Sequence, residues 1–187
     1  SLLEIESTVK VQKKTNMICQ HCQNAVDGST EKYLVLTEFL SGNSVKKILE
    51  KNSAYTVDKN CSSCGLYKVH KAETTYETLS DVLIITVNRF DGLRKKKMNK
   101  VQPSSQLKVA GQDFLLKSVV QHVNSTSIHS GHYTCTLFVN SEWTLCNDTK
   151  ISGNSKEPVD GYIYIYEKIS AMNTLQQPVV NTLHQAN

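Results

Sequence analysis

The chain has 187 residues, of which 39% are hydrophobic and 20% are charged, a composition that is ordinary for a soluble globular protein. Its formal net charge of +4 is too small to indicate a nucleic-acid partner. No apolar run approaches the roughly 18 residues of a membrane span, and residues 1–20 lack the apolar core of a signal peptide. Six cysteines without a secretory signal indicate a reducing compartment, cytoplasmic or nuclear, and metal binding or catalysis rather than disulfides.

The first half of the chain predicts strands, one short helix and two cysteine pairs. Residues 2–18 alternate loosely between apolar and polar positions, which suits one or two strands. A further strand is predicted at 33–40, and a polar strand at about 67–77. Between them Asn43 or Ser44 can cap a short helix. That helix carries three apolar residues on one face: Val45, Ile48 and Leu49.

The cysteine spacing predicts a metal centre. Cys19 and Cys22 form one C-x2-C pair, and Cys61 and Cys64 form a second pair 38 residues later. Two residues between cysteines let a tight turn direct both thiolates at one ion, and two such turns complete a tetrahedral site. We expect one structural zinc ion, with each pair on its own hairpin, because four thiolates leave no open position for catalysis. The alternative is a set of reduced, metal-free cysteines.

The second half of the chain predicts mostly strands. The strongest apolar run, Val82–Val87, is expected to be a central strand that is buried on both faces. The basic run Arg94–Lys100 is expected to be a solvated loop. Residues 169–187 are polar without periodicity and are expected to be a disordered tail. Further strands are predicted at 106–110, 114–123, 132–139, 142–147 and 161–167.

The strands at 132–139 and 142–147 predict a hairpin with polar side chains at its open end. A two-residue turn at Asn140-Ser141 places Asn147 diagonal to His132 on one face, about 7–8 Å away before side-chain reach is counted. An imidazole held by an amide oxygen is the base and orienter of a nucleophile–base–orienter site. The same register turns Asp148 toward the other face, unless the loop is one residue longer and the register slips.

The hairpin also has a simpler interpretation. A histidine at the start of a strand is usually a surface or hydrogen-bonded residue, and Asn-Asp after a strand is usually a turn. The hairpin itself offers no nucleophile, because Cys135 and Cys146 are expected on the face away from His132 or in the core, as small buried residues.

Several motifs occur in one order along the chain. They are the two C-x2-C pairs, Asn88-Arg89-Phe90 after the apolar strand, His122, Ser130-Gly131-His132-Tyr133, Trp143, Asn147-Asp148 and the closing segment Gly161–Glu167. From about residue 3 to 168, their order and spacing resemble the C-terminal two-thirds of a ubiquitin-specific protease. No single motif is specific, but together they are.

This resemblance implies a fold and an activity. The fold would be a β-rich α+β papain-like cysteine peptidase that lacks its helical thumb. Residues 1–168 would be a partial catalytic domain, with zinc-bound fingers at about 12–80 and a palm at about 81–168. Members of the family are thiol proteases that hydrolyse the bond after the C-terminal glycine of ubiquitin. The implied partner is ubiquitin or a ubiquitinated protein.

The resemblance also implies site residues. His132 would be the general base, Asn147 its orienter, and Asp148 a support beside the site. Substrate contacts are implied around the loop before the base, at His122, His129, Ser130, Gly131 and Tyr133. Gly131 suits a narrow channel for the substrate tail, since a missing Cβ leaves room there.

The sequence departs from the family at the nucleophile. The Gly-Asn-Thr-Cys-like stretch that carries it does not occur here, and we expect it to precede Ser1 together with the thumb. We therefore predict that the chain alone is inactive. An alternative is a non-catalytic, zinc-containing ubiquitin-binding module. A nucleic-acid binder that uses the basic run ranks last, because no aromatic residues are interleaved with it.

Overall fold

A computed structural model describes residues 10–90, 96–124, 127 and 130–169, except for the Asp27 side chain. Within these residues the chain forms twelve strands and one helix, which confirms a β-rich α+β fold. No helix among them is long and apolar enough to cross a membrane. The elements are β1 (Val11–Cys19), β2 (Ala25–Tyr33), β3 (Leu36–Phe39), α1 (Val45–Asn52), β4 (Ala54–Asn60), β5 (Tyr67–Leu79), β6 (Val82–Asn88), β7 (Gln106–Val109), β8 (Gln112–Val123), β9 (His132–Val139), β10 (Glu142–Asn147), β11 (Lys150–Ser155) and β12 (Ile163–Lys168).

The fingers sheet is four-stranded, with the order β2-β1-β5-β4 and antiparallel pairing throughout. The turn between β1 and β2 carries Cys22, and the turn between β4 and β5 carries Cys61 and Cys64. Each cysteine pair therefore lies on its own hairpin, as the spacing predicted. Because β1 and β5 are neighbours, the two hairpin turns meet at the same end of the sheet.

The palm sheet has eight strands, with the order β11-β10-β9-β8-β12-β6-β3 and with β7 paired to β8. Strand β3 runs parallel to β6, whereas the other pairs are antiparallel. The segment from β3 to α1 lies between the two cysteine pairs in sequence but adds its strand to the palm sheet. The long spacer between the pairs therefore crosses from one sheet to the other and back.

The main apolar core covers one face of the palm sheet. Strand β6 shows the pattern: Leu83, Ile85 and Val87 are fully buried, whereas the residues between them are half-buried. The prediction that this strand is buried on both faces was wrong, because the second face is only partly covered. Burying each such side chain contributes about 1.5–3 kcal/mol. The rest of the core comes largely from helix α1 and from β3, β7, β8 and β12, including Phe114, Leu116, Val119, Tyr164 and Tyr166.

Helix α1 forms as the sequence predicted. The Ser44 hydroxyl accepts a hydrogen bond from the Lys47 amide at 3.3 Å, which satisfies one of the free amides of the first turn. The three predicted apolar residues, Val45, Ile48 and Leu49, are all buried. They pack into the palm core and hold the helix beside strand β3.

The strand prediction for 33–40 was wrong in its bounds, since β2 ends at Tyr33 and β3 begins at Leu36. Strands β2, β4 and β11 were not predicted. Their side chains are mostly exposed, so they lack the apolar alternation that identifies a half-buried strand. Three predictions lie wholly or partly outside the described residues: the first nine residues, part of the basic run, and the tail after Ile169.

Candidate active site and metal centre

The turn of the β9–β10 hairpin fixes the register of the candidate active site. Asn140 and Ser141 have positive φ angles of 50° and 66°, which a type I′ turn requires. Val139 pairs with Glu142 and Cys135 with Cys146, so the predicted two-residue turn and its register are confirmed. One step further along, Asn147 lies beside Thr134, on the face that His132 shares.

His132 and Asn147 are joined by a hydrogen bond of 2.6 Å between Nε2 and Oδ1. An amide oxygen only accepts hydrogen bonds, so Nε2 carries the proton and Nδ1 has the free lone pair. The imidazole is thus held in the tautomer whose Nδ1 can take a proton from a nucleophile. The His132 side chain is 36% exposed, so that nitrogen can be reached from outside the protein.

Asp148 lies closer to the imidazole than the strand register predicted. Its Oδ2 is 3.7 Å from Nε2 of His132, not on the opposite face of the hairpin. The predicted position of Asp148 was wrong because side chains alternate between the two faces only within a strand. Strand β10 ends at Asn147, and Asp148 turns with a φ of 52°. The carboxylate is 74% exposed and beyond hydrogen-bond length, so its effect on the imidazole is weak.

No thiol shares the face of His132. Cys135 and Cys146 lie directly opposite each other on the other face of the hairpin. Both are half-buried, and the Cys135 sulfur is 3.1 Å from the Ser118 hydroxyl. The other four cysteines, all within the described residues, lie in the fingers. Within the described residues, the hairpin therefore joins an imidazole to an amide oxygen with no thiol on the same face.

The residues implied as substrate contacts fall into different environments. Ser130, Gly131 and Tyr133 are exposed beside the hairpin. His122 is only 9% exposed and lies beneath this surface. His129 lies outside the described residues. Substrate binding by these residues remains a prediction.

The four predicted metal ligands converge at the end of the fingers sheet. The sulfurs of Cys19, Cys22, Cys61 and Cys64 all lie within 4.8 Å of one another. The sulfurs of Cys22 and Cys61 are 3.8 Å apart. A tetrahedral ion with Zn–S bonds of about 2.3 Å would separate its sulfurs by about 3.8 Å. The donor set therefore fits one structural zinc ion.

The two cysteine turns have the same backbone geometry. The Gln23 amide donates to the Cys19 carbonyl at 2.9 Å, and the Gly65 amide donates to the Cys61 carbonyl at 2.9 Å. Gln23 and Gly65 also have similar positive φ angles, 60° and 70°. Each turn directs both of its thiols toward the other turn, which is the arrangement a four-cysteine site needs.

The thiols of the cluster differ in acidity. The backbone amide of Cys64 and the His70 side chain lower the pKa of Cys61 to about 5, against the opposing effect of burial. The backbone amide of Asn24 lowers the pKa of Cys22, but burial and the three neighbouring thiols outweigh it and raise that pKa to about 11. Crowded thiols share protons in this way, and metal binding requires that the protons leave.

Sequence reasoning missed His70. This histidine is fully buried, pairs with Cys19 across the sheet and lies beside the Cys61 thiol. Its Nδ1 donates to the Lys68 carbonyl at 2.7 Å, while Nε2 has no hydrogen-bond partner among the described residues. The signal for its burial was its position on β5, two residues before the buried Ala72, because residues two apart in a strand lie on the same face. A polar ring buried against the sulfurs is a further sign that this end of the sheet is built around an ion.

Sequence reasoning also gave no role to Arg89, which is 2% exposed. Its guanidinium forms an ion pair with Asp160 and donates to the Gly161 carbonyl at 2.8 Å and 3.0 Å. A third bond of 2.6 Å reaches the Asn99 carbonyl. This network ties the end of β6 to the approach of β12, next to the strand that carries His122.

Solved structures share this fold. A chain of the SAGA DUB module bound to monoubiquitin matches 89% of this chain with a TM-score of 0.77 and 16% identity. A structure of the same module bound to ubiquitin aldehyde matches with a TM-score of 0.76 and 17% identity. The yeast module in a further structure gives a TM-score of 0.77. The fold is thereby defined: this chain has the fold of the matched SAGA DUB module chain.

The family follows from the sequence itself. Residues 3–166 match the ubiquitin carboxyl-terminal hydrolase family, and the chain belongs to that family. Ubiquitin carboxyl-terminal hydrolase 14 of Arabidopsis thaliana is 31% identical over 74 residues, which are 38% of this chain. Ubiquitin carboxyl-terminal hydrolase 5 of Homo sapiens is 34% identical over 59 residues, 31% of this chain. The chain spans 9% and 7% of those relatives and 42% of the matched SAGA chain.

Proposed function

We propose that this chain supplies the base, its orienter and a ubiquitin-holding surface to a deubiquitinase. The reaction is hydrolysis of the bond after the C-terminal glycine of ubiquitin, by way of a cysteine thiol. The observation that carries the proposal is the 2.6 Å bond between His132 and Asn147, on the palm of a chain that belongs to the ubiquitin carboxyl-terminal hydrolase family.

In this proposal the nucleophile comes from outside these 187 residues, because none of the six cysteines, all of which lie within the described residues, shares the face of His132. Nδ1 of His132 accepts the proton of that thiol, and the thiolate attacks the carbonyl carbon of the terminal glycine. The imidazolium then gives the proton to the departing amine, leaving a thioester. Water attacks the thioester while His132 again takes a proton, which releases the ubiquitin carboxylate and restores the thiol.

Asn147 holds the imidazole through this cycle. Its amide oxygen keeps the proton on Nε2, so that Nδ1 remains the nitrogen that exchanges protons with the thiol. Asp148, at 3.7 Å, adds a weak stabilisation of the imidazolium when it forms. A bound zinc ion would link the two finger hairpins. The reaction itself uses only the palm residues and the external thiol.

A ubiquitin partner is supported by the matched structures, which are described as bound to monoubiquitin and to ubiquitin aldehyde. The cysteine content supports a reducing compartment, and we propose the cytoplasm or the nucleus. The test of the ubiquitin partner is direct. Calorimetric titration of the zinc-loaded chain with ubiquitin should show saturable binding, and no heat of binding at high micromolar concentrations would contradict this part of the proposal.

The lack of a thiol beside His132 among the described residues gives a second test. The chain alone should not hydrolyse a fluorogenic substrate attached to the C-terminus of ubiquitin. Turnover that disappears in Cys135→Ser or Cys146→Ser would show that one of the hairpin cysteines is the nucleophile, and the proposal would be wrong. The paired control is Cys22→Ser, which removes a thiol of the metal centre.

The absence of a thiol beside His132 also favours a second candidate, a ubiquitin-binding module without catalysis. Both candidates predict ubiquitin binding by this chain. They differ in a longer protein that contains it: the enzyme should lose turnover in His132→Ala, whereas a binding module should have no turnover to lose.

A further inference from the structure

His122 lies behind the segment that leads into His132. It is 9% exposed and sits on β8, directly opposite Tyr133 of β9. The two rings are tilted by 34° to each other with their centroids 4.8 Å apart, and the Tyr162 ring lies 6.3 Å from His122. His122 therefore packs on the opposite face of the sheet from His132, under the chain that enters β9.

One ring nitrogen of His122 holds the backbone of that segment. Its Nε2 is 3.0 Å from the carbonyl oxygen of Ser130. A carbonyl only accepts, so Nε2 carries the proton and donates. Ser130 is two residues before His132, with only Gly131 between them. The bond therefore fixes the backbone immediately before the base.

Gly131 is matched to this imidazole. A Cβ at that position would lie 2.2 Å from Nε2 of His122, and the backbone has a φ of 122° that residues with side chains rarely adopt. The chain thus crosses the edge of the ring at a distance that only glycine permits. The close approach makes the Ser130–His122 bond possible.

Packing alone does not explain a histidine at this position. Its second nitrogen, Nδ1, is buried with no hydrogen-bond partner among the described residues, which costs stability. A phenylalanine would fill the same space against Tyr133 without that cost. What a phenylalanine lacks is the donor to Ser130. The His122 backbone is itself anchored, since its carbonyl accepts a bond of 2.7 Å from the Lys96 ammonium group.

We infer that His122 is a positioning residue for the base: its hydrogen bond to the Ser130 carbonyl sets the backbone from which His132 reaches Asn147. This assignment rests on the proposed role of His132. It replaces direct substrate contact as the function of His122.

The test is nitrogen NMR of the histidine rings in the zinc-loaded chain. Two variants separate the hydrogen bond from the packing, because His122→Phe keeps the ring and loses the donor, whereas His122→Gln keeps a donor at a similar reach. In the wild type, His132 should be the Nε2–H tautomer with a proton protected from exchange by Asn147. That signal should persist in His122→Gln and be lost or averaged in His122→Phe.

The inference is overturned if His122→Phe keeps the wild-type His132 signal, or if His122→Gln loses it. If a variant does not fold, the spectrum of the wild type still tests the inference. His122 itself must be the Nε2–H tautomer, and finding its proton on Nδ1 would overturn the inference. These signals do not depend on turnover. If a longer enzyme that contains this chain stayed active in His132→Ala, the proposed function would be wrong. The NMR signals would still show whether His122 positions the His132 ring.

Discussion

The palm and the fingers are stabilised in different ways. Among the described residues, seventeen buried apolar side chains form one cluster, which fills the palm and includes Val11 and Leu79 from the ends of the finger strands β1 and β5. The buried cluster of the fingers has three members, Cys19, Val26 and Cys61, two of which are proposed metal ligands. The palm therefore holds its shape by burying apolar surface, whereas the fingers have too little of it.

This difference indicates what each region needs in order to work. The proposed base and its orienter must be held to within a fraction of an ångström, and a dense core does this without a ligand. A long four-stranded sheet with two exposed faces has no such core, and we propose that a metal cross-link at its end replaces it. The following predictions test that contrast, from the largest expected effect to the smallest.

Removing the metal should affect the fingers far more than the palm. Structural zinc contributes about 10–16 kcal/mol of apparent binding free energy in small four-ligand sites. Chelation, or Cys61→Ser, should broaden or shift the amide signals of β1, β2, β4 and β5, while those of β8 and β9 keep their positions in the NMR spectrum. Cys135→Ser is the matched control, because it removes a thiol of the palm. Finger amides that stay unchanged after chelation would contradict the contrast.

Removing the buried charge of the palm should be the next largest effect. Arg89→Met removes the cation that pairs with Asp160 and two hydrogen bonds to the Gly161 carbonyl, and should cost about 3–5 kcal/mol of unfolding free energy, measured by urea denaturation. Lys108→Met is the control, since its partner Asp113 is exposed at 3.6 Å and the pair contributes under about 1 kcal/mol. Equal losses in the two variants would show that the Arg89 network does not stabilise the palm.

A side chain at Gly131 should disturb the palm locally. Gly131→Ala places a Cβ against His122 and strains a φ of 122°, which should cost about 1–3 kcal/mol. Gly153→Ala is the control, because the space around that glycine is open. Thermal unfolding compares the two variants. If Gly131→Ala unfolds at the wild-type temperature, His122 does not pack closely enough against the backbone at position 131 to exclude a side chain there.

The junction between the two regions should give the smallest effect. Glu38 of the palm is 4% exposed, and it accepts bonds from Lys13 of the fingers at 3.1 Å and from Asn52 at 3.0 Å. Glu38→Gln should cost about 1–2 kcal/mol, since the amide keeps part of this bonding. Glu77→Gln, which alters the exposed ion pair between Lys14 and Glu77 at 3.7 Å, should be near neutral. If urea denaturation shows that Glu77→Gln lowers the unfolding free energy as much as Glu38→Gln does, the buried bonds of Glu38 do not stabilise the junction.

The sequence predicted those parts of the structure that depend on local pattern. The two-residue turn at 140–141 and the alternation of β9 were enough to place Asn147 beside His132. The C-x2-C spacing predicted the sulfur cluster because each pair needs only its own turn. Ser44 and the three apolar residues after it predicted helix α1.

The remaining features depend on contacts between distant segments. Strands β2 and β4 are mostly exposed and take their form from their neighbours in the sheet, so the sequence carries little local signal for them. The position of Asp148 was not predicted correctly because its positive φ ends the alternation of side chains between the two faces of β10. The buried positions of His70 and His122 follow from strands that pair across the sheet, and no periodicity in the sequence identifies which histidine will be covered.

The most direct test of the central claim is the turnover of a longer protein that contains this chain together with the thiol. Fluorogenic ubiquitin hydrolysis should fall by about a hundredfold or more in His132→Ala, because the thiol loses its general base. Ubiquitin binding, measured by calorimetry on the same variant, should stay at the wild-type value. Unchanged turnover in His132→Ala would contradict the assignment of this hairpin as the base half of the active site.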